Sequence, residues 1–150
     1  MHALVFLHLL AASLYVGAVA ATLLIERRLL GPSSPMATPD VLSVVRTLGR
    51  LTSAGIAVLF VTGLVALVAR GWLSSLSTQV WLHVMITAAL VSAALDGVAG
   101  GMTRRARDRL LQDGGAAVAA LLARAHRLRW LGAAAGIVAL ASSVWRWRVG

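Results

Sequence analysis

The chain has no cysteine, so disulfides, thiolate metal sites and iron–sulfur clusters are excluded. It also has no lysine. All fourteen basic residues are arginine, and beside so much Ala, Gly, Leu and Val this reads as the codon usage of a GC-rich genome. Charge as a whole is scarce: 13 % of the 150 residues, where a soluble domain carries about a quarter. There is no nucleophile–base pair at suitable spacing, no pair of carboxylates and no glycine-rich phosphate loop between a strand and a helix. An independent hydrolase or nucleotide enzyme is therefore not expected.

What the chain does have is apolar residues, 59 % of the total, gathered in blocks instead of periodic stripes, which points to a bilayer. Four runs stand out, at 3–25, 51–69, 80–102 and 130–144. The last is short and gains length by starting near residue 127, with arginine side chains reaching back to the interface, so its span is about 128–146. Ala18-Val19-Ala20 imitates a signal-peptide cleavage site. The first run, however, lacks a basic leader and has too long an apolar core, so it reads as a retained helix. The expected fold is all-α: one domain, an integral membrane bundle of four transmembrane helices.

A net charge of +9 would suggest nucleic acid in a soluble protein. Here the arginines fall between apolar runs, where they set orientation and meet anionic lipid, so no nucleic-acid partner is expected. The connection after the first run holds Arg27, Arg28, Arg46 and Arg50. The connection after the third holds Arg104, Arg105, Arg107, Arg109, Arg124, Arg127 and Arg129. The opposite side has only Arg70, Arg146 and Arg148. Eleven against three predicts that both termini face outward from a bacterial inner membrane.

The first connection contains Pro32, Pro35 and Pro39, and Asp40 is expected to cap a short approach helix ending at Arg50. The second, 70–79, carries Trp72. The third is broken at Gly114-Gly115, after which 116–129 is helical and runs into the fourth span. Gly97-x-x-x-Gly101 and Gly132-x-x-x-Gly136, with Gly17, Gly55 and Gly63, allow close backbone approach. A homo-oligomer or a place in a larger complex is open on this ground. Trp72, Trp81, Trp130, Trp145 and Trp147 are expected chiefly as interface anchors.

Polar residues inside the runs carry the functional expectation. His8 lies five residues into the first run and His83 three into the third, so with both helices running inward they sit at similar depth. Helices one and three of a bundle face each other across the core, which lets two imidazoles hold a haem iron. His8, Tyr15 and Thr22 recur every seven residues, with Glu26 four further on, and this stripe should point inward because lipid cannot satisfy it. Asp96 is about 140° away from the His83 face and aligns with Ser92 and Met85. The expectation for it is an ion pair with Arg50 or Arg129, with a proton relay as the rival. His126, among arginines, is expected to be solvated.

His8-x6-Tyr15-x-Gly17 resembles the first helix of membrane domains of the copper-resistance protein D (CopD) type, where a histidine precedes Trp-x-Gly-Gly. Arg50-Leu-Thr-Ser and Thr62-Gly63 are similar to that family's Arg-Phe-Ser and Thr-Gly. The HemJ type of protoporphyrinogen oxidase, a small four-helix haem b protein, has a related first helix. The resemblance covers about the first hundred residues and carries over His8 and Arg50. Tyr15 replaces the tryptophan, and His83 stands where the family's third-helix lysine is expected, which favours bis-histidine haem.

Three functions follow. The first is a cytochrome b-like protein binding haem b through His8 and His83, with Tyr15 and Arg50 beside it. It would move electrons between a quinol or porphyrinogen and a redox partner protein. The second is copper handling by His2, His8, His83, Met1 and Met85, although Met85 lies about 160° round the helix from His83. The third is a non-catalytic subunit whose basic inner loop docks an acidic partner or anionic lipid.

Overall fold

The computed structural model describes residues 2–30, 38–69, 71, 79–112 and 116–149, with side chains to residue 142 in the last segment. The described residues form four α-helices: α1 (His2–Leu29), α2 (Pro39–Ala69), α3 (Val80–Gln112) and α4 (Ala116–Val149). Each is longer than the ~20 residues needed to cross a bilayer. Among the described residues, α1, α2 and α3 are long and apolar enough to do so. The fourth expected span, 128–146, runs partly beyond the described side chains, as do Trp145, Trp147, Arg146 and Arg148. Met1, Pro32, Pro35, Arg70, Trp72 and Gly114-Gly115 also lie outside the described residues.

The approach helix and the second span are one uninterrupted helix. Its cap is Thr38, not Asp40: the Thr38 hydroxyl accepts the Val41 amide at 3.3 Å and its carbonyl accepts the Leu42 amide at 3.1 Å. Pro39 takes the first helical position, where a missing N–H costs nothing. Asp40 falls in the first turn, where its charge complements the helix dipole. The expected continuity of 116–129 with the fourth span is observed.

The helices form an up-and-down ring. α1 pairs with α2 and α3 with α4, while α2–α3 and α4–α1 close the circle more loosely. The α1–α3 and α2–α4 pairs are diagonals with no backbone approach. Side-chain register confirms the antiparallel sense: His8 meets Thr62 and Tyr15 meets Gly55, one partner falling as the other rises. The end holding the start of α1 is called upper below.

The lower end has an ordinary apolar core in which Leu42, Ala106, Val118 and Leu122 are buried, with Leu29, Leu30, Leu110 and Leu121 packed around them. Higher up the pattern inverts. Phe6, Leu9, Leu24 and Ile137 are 60–67 % exposed, and the interior holds Thr22, Glu26, Thr62, Ser92 and Arg129. Helices that are apolar outward and polar inward suit a lipid surround.

Two glycines on α4 set how closely that helix approaches its ring neighbours α3 and α1. A Cβ on Gly132 would meet the Ser92 carbonyl and the Leu95 side chain, each at 3.4 Å. A Cβ on Gly136 would overlap the Tyr15 hydroxyl. This glycine pair therefore serves the bundle interior, whereas Gly97 and Gly101 face open space. Gly136→Ala is expected to cost about 1–3 kcal/mol through overpacking. Thermal unfolding in detergent should show the loss, partly recovered when Tyr15→Phe is added.

Candidate functional site

Tyr15 projects from α1 across the bundle, and its phenol oxygen lies 2.8 Å from the Ser92 hydroxyl on α3. Both side chains are buried. This bond joins two helices whose backbones do not touch, and it forms because Gly55 and Gly136 lack side chains where the tyrosine passes.

Above it is a cavity of about 140 Å³ lined by all four helices. Its polar side chains are His8, Tyr15 and Ser92, with Met85 as the thioether. The other lining residues are apolar, and Phe60 and Leu64 among them are 44 % and 49 % exposed. The cavity therefore reaches the outer surface of the bundle beside α2.

His8 is half-buried, and its Nδ1 lies 2.6 Å from the Thr62 hydroxyl oxygen. That hydroxyl is also within reach of the Val58 carbonyl at 2.7 Å, and when it donates there it accepts from the histidine. In that arrangement the proton of neutral His8 sits on Nδ1 and Nε2 keeps a free lone pair; in the reverse one Thr62 donates to Nδ1. Metal-binding histidines are fixed by the same kind of bond on the far ring nitrogen.

His83 is exposed and is not part of the cavity wall. The inward face of α3 runs through Leu82, Met85, Ile86, Ala89, Ser92 and Ala99, and His83 stands about 140° away from its middle. The two histidines therefore do not converge, and a haem bridged between them does not fit. Arg50 and His2 are exposed as well. Of the residues named from sequence, the structure brings together His8, Tyr15 and Met85. Among the described residues no three His, Asp or Glu side chains are grouped to hold a metal ion.

Below Ser92 lies a second polar cluster. Arg129 forms an ion pair with Glu26 through Nη1 and donates from Nη2 to the Thr103 hydroxyl at 3.1 Å. The Asp96 carboxylate is 3.7 Å from Arg129 Nε. His126 is also engaged, not solvated. Trp130 donates to its Nε2 at 3.1 Å, so Nδ1 holds the proton and faces Glu26 Oε2 at 3.4 Å. Burial and, secondarily, the charge of Arg27 hold the His126 pKa below the ordinary histidine value, in keeping with this neutral form. Asp96 thus takes Arg129 as its partner, and Arg50 plays no part. Ser92 and Thr62 went unassigned in the sequence. The available signal was the alignment of Met85, Ser92 and Asp96 on one face of α3.

The chain matches no protein-family model, no curated protein and no solved structure.

Removing Arg129 strands a buried carboxylate, which costs about 3–5 kcal/mol. Arg129→Met should therefore unfold at markedly lower temperature, and the double replacement Glu26→Met/Arg129→Met should recover most of the loss in the same melt.

Proposed function

We propose that the chain is a multi-pass protein of the bacterial inner membrane, with all four helices crossing it and both termini outside. The arginine asymmetry supports this orientation, and the belt of outward apolar side chains supports insertion in the bilayer. The absence of cysteine makes the test clean. A single Ala3→Cys should react with a membrane-impermeant maleimide in intact spheroplasts, and a single Arg105→Cys only after the membrane is opened. The reverse pattern would overturn the orientation.

Within that setting we propose that the cavity binds the ring of a lipid-soluble quinol or quinone, passing electrons to or from a redox partner protein. The observation that carries this reading is the cavity itself. It is apolar except for His8, Tyr15 and Ser92, opens sideways at Phe60 and Leu64, and is close to the ~150 Å³ that accommodates a single aromatic ring. Pockets of this composition use a few fixed polar groups to orient an apolar ligand. His8 Nε2 is placed to accept a hydrogen bond from a ring hydroxyl, and the Tyr15–Ser92 pair can serve a ring oxygen.

A different observation favours a metal reading. With Nδ1 bonded to Thr62, a lone pair on His8 Nε2 could ligate the iron of a haem b, although the macrocycle would need far more room than the cavity of about 140 Å³ and would have to extend through its sideways mouth. The same lone pair suits copper(I) with the Met85 thioether beside it. When bound, either metal would supply the one-electron chemistry.

One purification separates these readings. Binding of a short-chain benzoquinone should saturate, weaken about tenfold in His8→Ala through loss of a buried hydrogen bond, and be unchanged in His83→Ala. A Soret band, or bound copper, that disappears in His8→Ala would decide for the metal. A colourless, metal-free protein that binds no quinone would sink both.

A further inference from the structure

The lower cluster holds more acid than base. Three ionisable groups are withdrawn from water: the side chains of Glu26, Arg129 and Asp96 are 0 %, 3 % and 13 % exposed. One guanidinium thus faces two carboxyls. Glu26 has the better claim on it, through the direct Nη1 pair and the His126 Nδ1–H. Nη2 is committed to Thr103. Asp96 is left 3.7 Å from Nε, too far for a hydrogen bond. Among the described residues no other cation is buried beside it: on α4, His126 is bonded in its neutral form and Arg124 and Arg127 are exposed. On α1, Glu26 and Tyr15 are the buried ionisable groups, His8 stands higher, in the cavity wall, and His2, Arg27 and Arg28 are exposed; the charged residues of α2 (Asp40, Arg46 and Arg50) are exposed as well. Two carboxylates sharing one counterion in a medium of low dielectric raise each other's cost of ionisation, so at rest the less well paired one keeps its proton.

Asp96 is also well placed to use that proton. It lies one helical turn below Ser92 on the same face of α3, and residues four apart have their Cβ atoms about 5–6 Å apart. Ser92 is bonded to Tyr15, and both line the cavity.

We propose that Asp96 is held as a neutral acid and is the proton donor and acceptor of the cavity, with Ser92 and Tyr15 as the relay. The ligand class is a ring with an ionisable or reducible oxygen, so the relay rests on the cavity reading proposed above. In the donating direction the Asp96 O–H breaks and its proton passes to the Ser92 oxygen. The Ser92 proton moves to the Tyr15 oxygen, and the Tyr15 proton forms the new O–H on the ligand oxyanion. The net change is one aspartate and one neutral ligand, and deprotonation of the ligand runs the same steps in reverse. Arg129 then has both carboxylates to compensate, which keeps the ionised state of Asp96 accessible.

The test uses the full chain in lipid nanodiscs. Infrared spectroscopy of ligand-free protein at neutral pH should show a carboxylic-acid C=O band that is lost in Asp96→Asn and kept in Glu26→Gln. Asp96→Glu, which restores an acid, should restore a band. A band that is absent, or that survives in Asp96→Asn, overturns the proposal. The probe for the relay is an alkylated 2-hydroxy-1,4-naphthoquinone, which is a coloured anion in neutral buffer. Wild-type protein should bind it in the neutral form by absorbance, whereas Asp96→Asn and Tyr15→Phe should bind it as the anion or at least tenfold more weakly. A probe that binds neutral in Asp96→Asn sinks the relay alone. A probe that fails to bind wild-type protein sinks the cavity reading and the relay with it.

Discussion

The fold depends on one guanidinium. Arg129 ties α4 to α1 through Glu26 and to α3 through Thr103, where each helix is apolar on its outer side. Charges at such depth are costly unless paired, so the helices are held in the register that keeps the pair closed. That register brings Ser92 level with Tyr15 and Thr62 level with His8. The polar interior reads downward as three stations: the histidine with its threonine, the tyrosine with its serine, and the arginine with its two acids. The cavity occupies the space between the first two because the glycines on α2 and α4 admit the tyrosine without filling the room above it.

The architecture was legible because it rests on coarse quantities. Block hydropathy gave four helices, and the helix after Gly114-Gly115 ran on as expected. The stripe of His8, Tyr15, Thr22 and Glu26 read its own direction correctly, since lipid offers those groups nothing. Boundaries were less legible. Thr38 caps α2 in place of Asp40 because the proline between them already occupies the first helical position.

The pairing of His8 with His83 failed for a physical reason. Matched depth is a property of sequence position, but convergence requires matched azimuth, and α3 turns its Met85–Ser92–Asp96 face inward. A histidine three residues into a span can sit at its outer end with its ring toward headgroups and water, so it exerts no pull on the rotation of the helix. Asp96 does exert such a pull, because a carboxyl in the middle of an otherwise apolar helix is costly unless it turns toward a partner. On α3 the deeper polar residue was the better guide to the interior. The resemblance to four-helix haem proteins selected His8, which does line the cavity, and Arg50, which does not.

The sideways mouth beside Phe60 and Leu64 bears on how strong binding has to be. In the proposed membrane setting, a guest arriving by that route would already be dissolved in hydrocarbon, concentrated there by partitioning to levels far above those in the surrounding fluid. Modest complementarity then suffices for high occupancy, and turnover need not wait on slow escape into water. A site reached in this way can stay small, half open and sparsely furnished with polar atoms and still be filled most of the time.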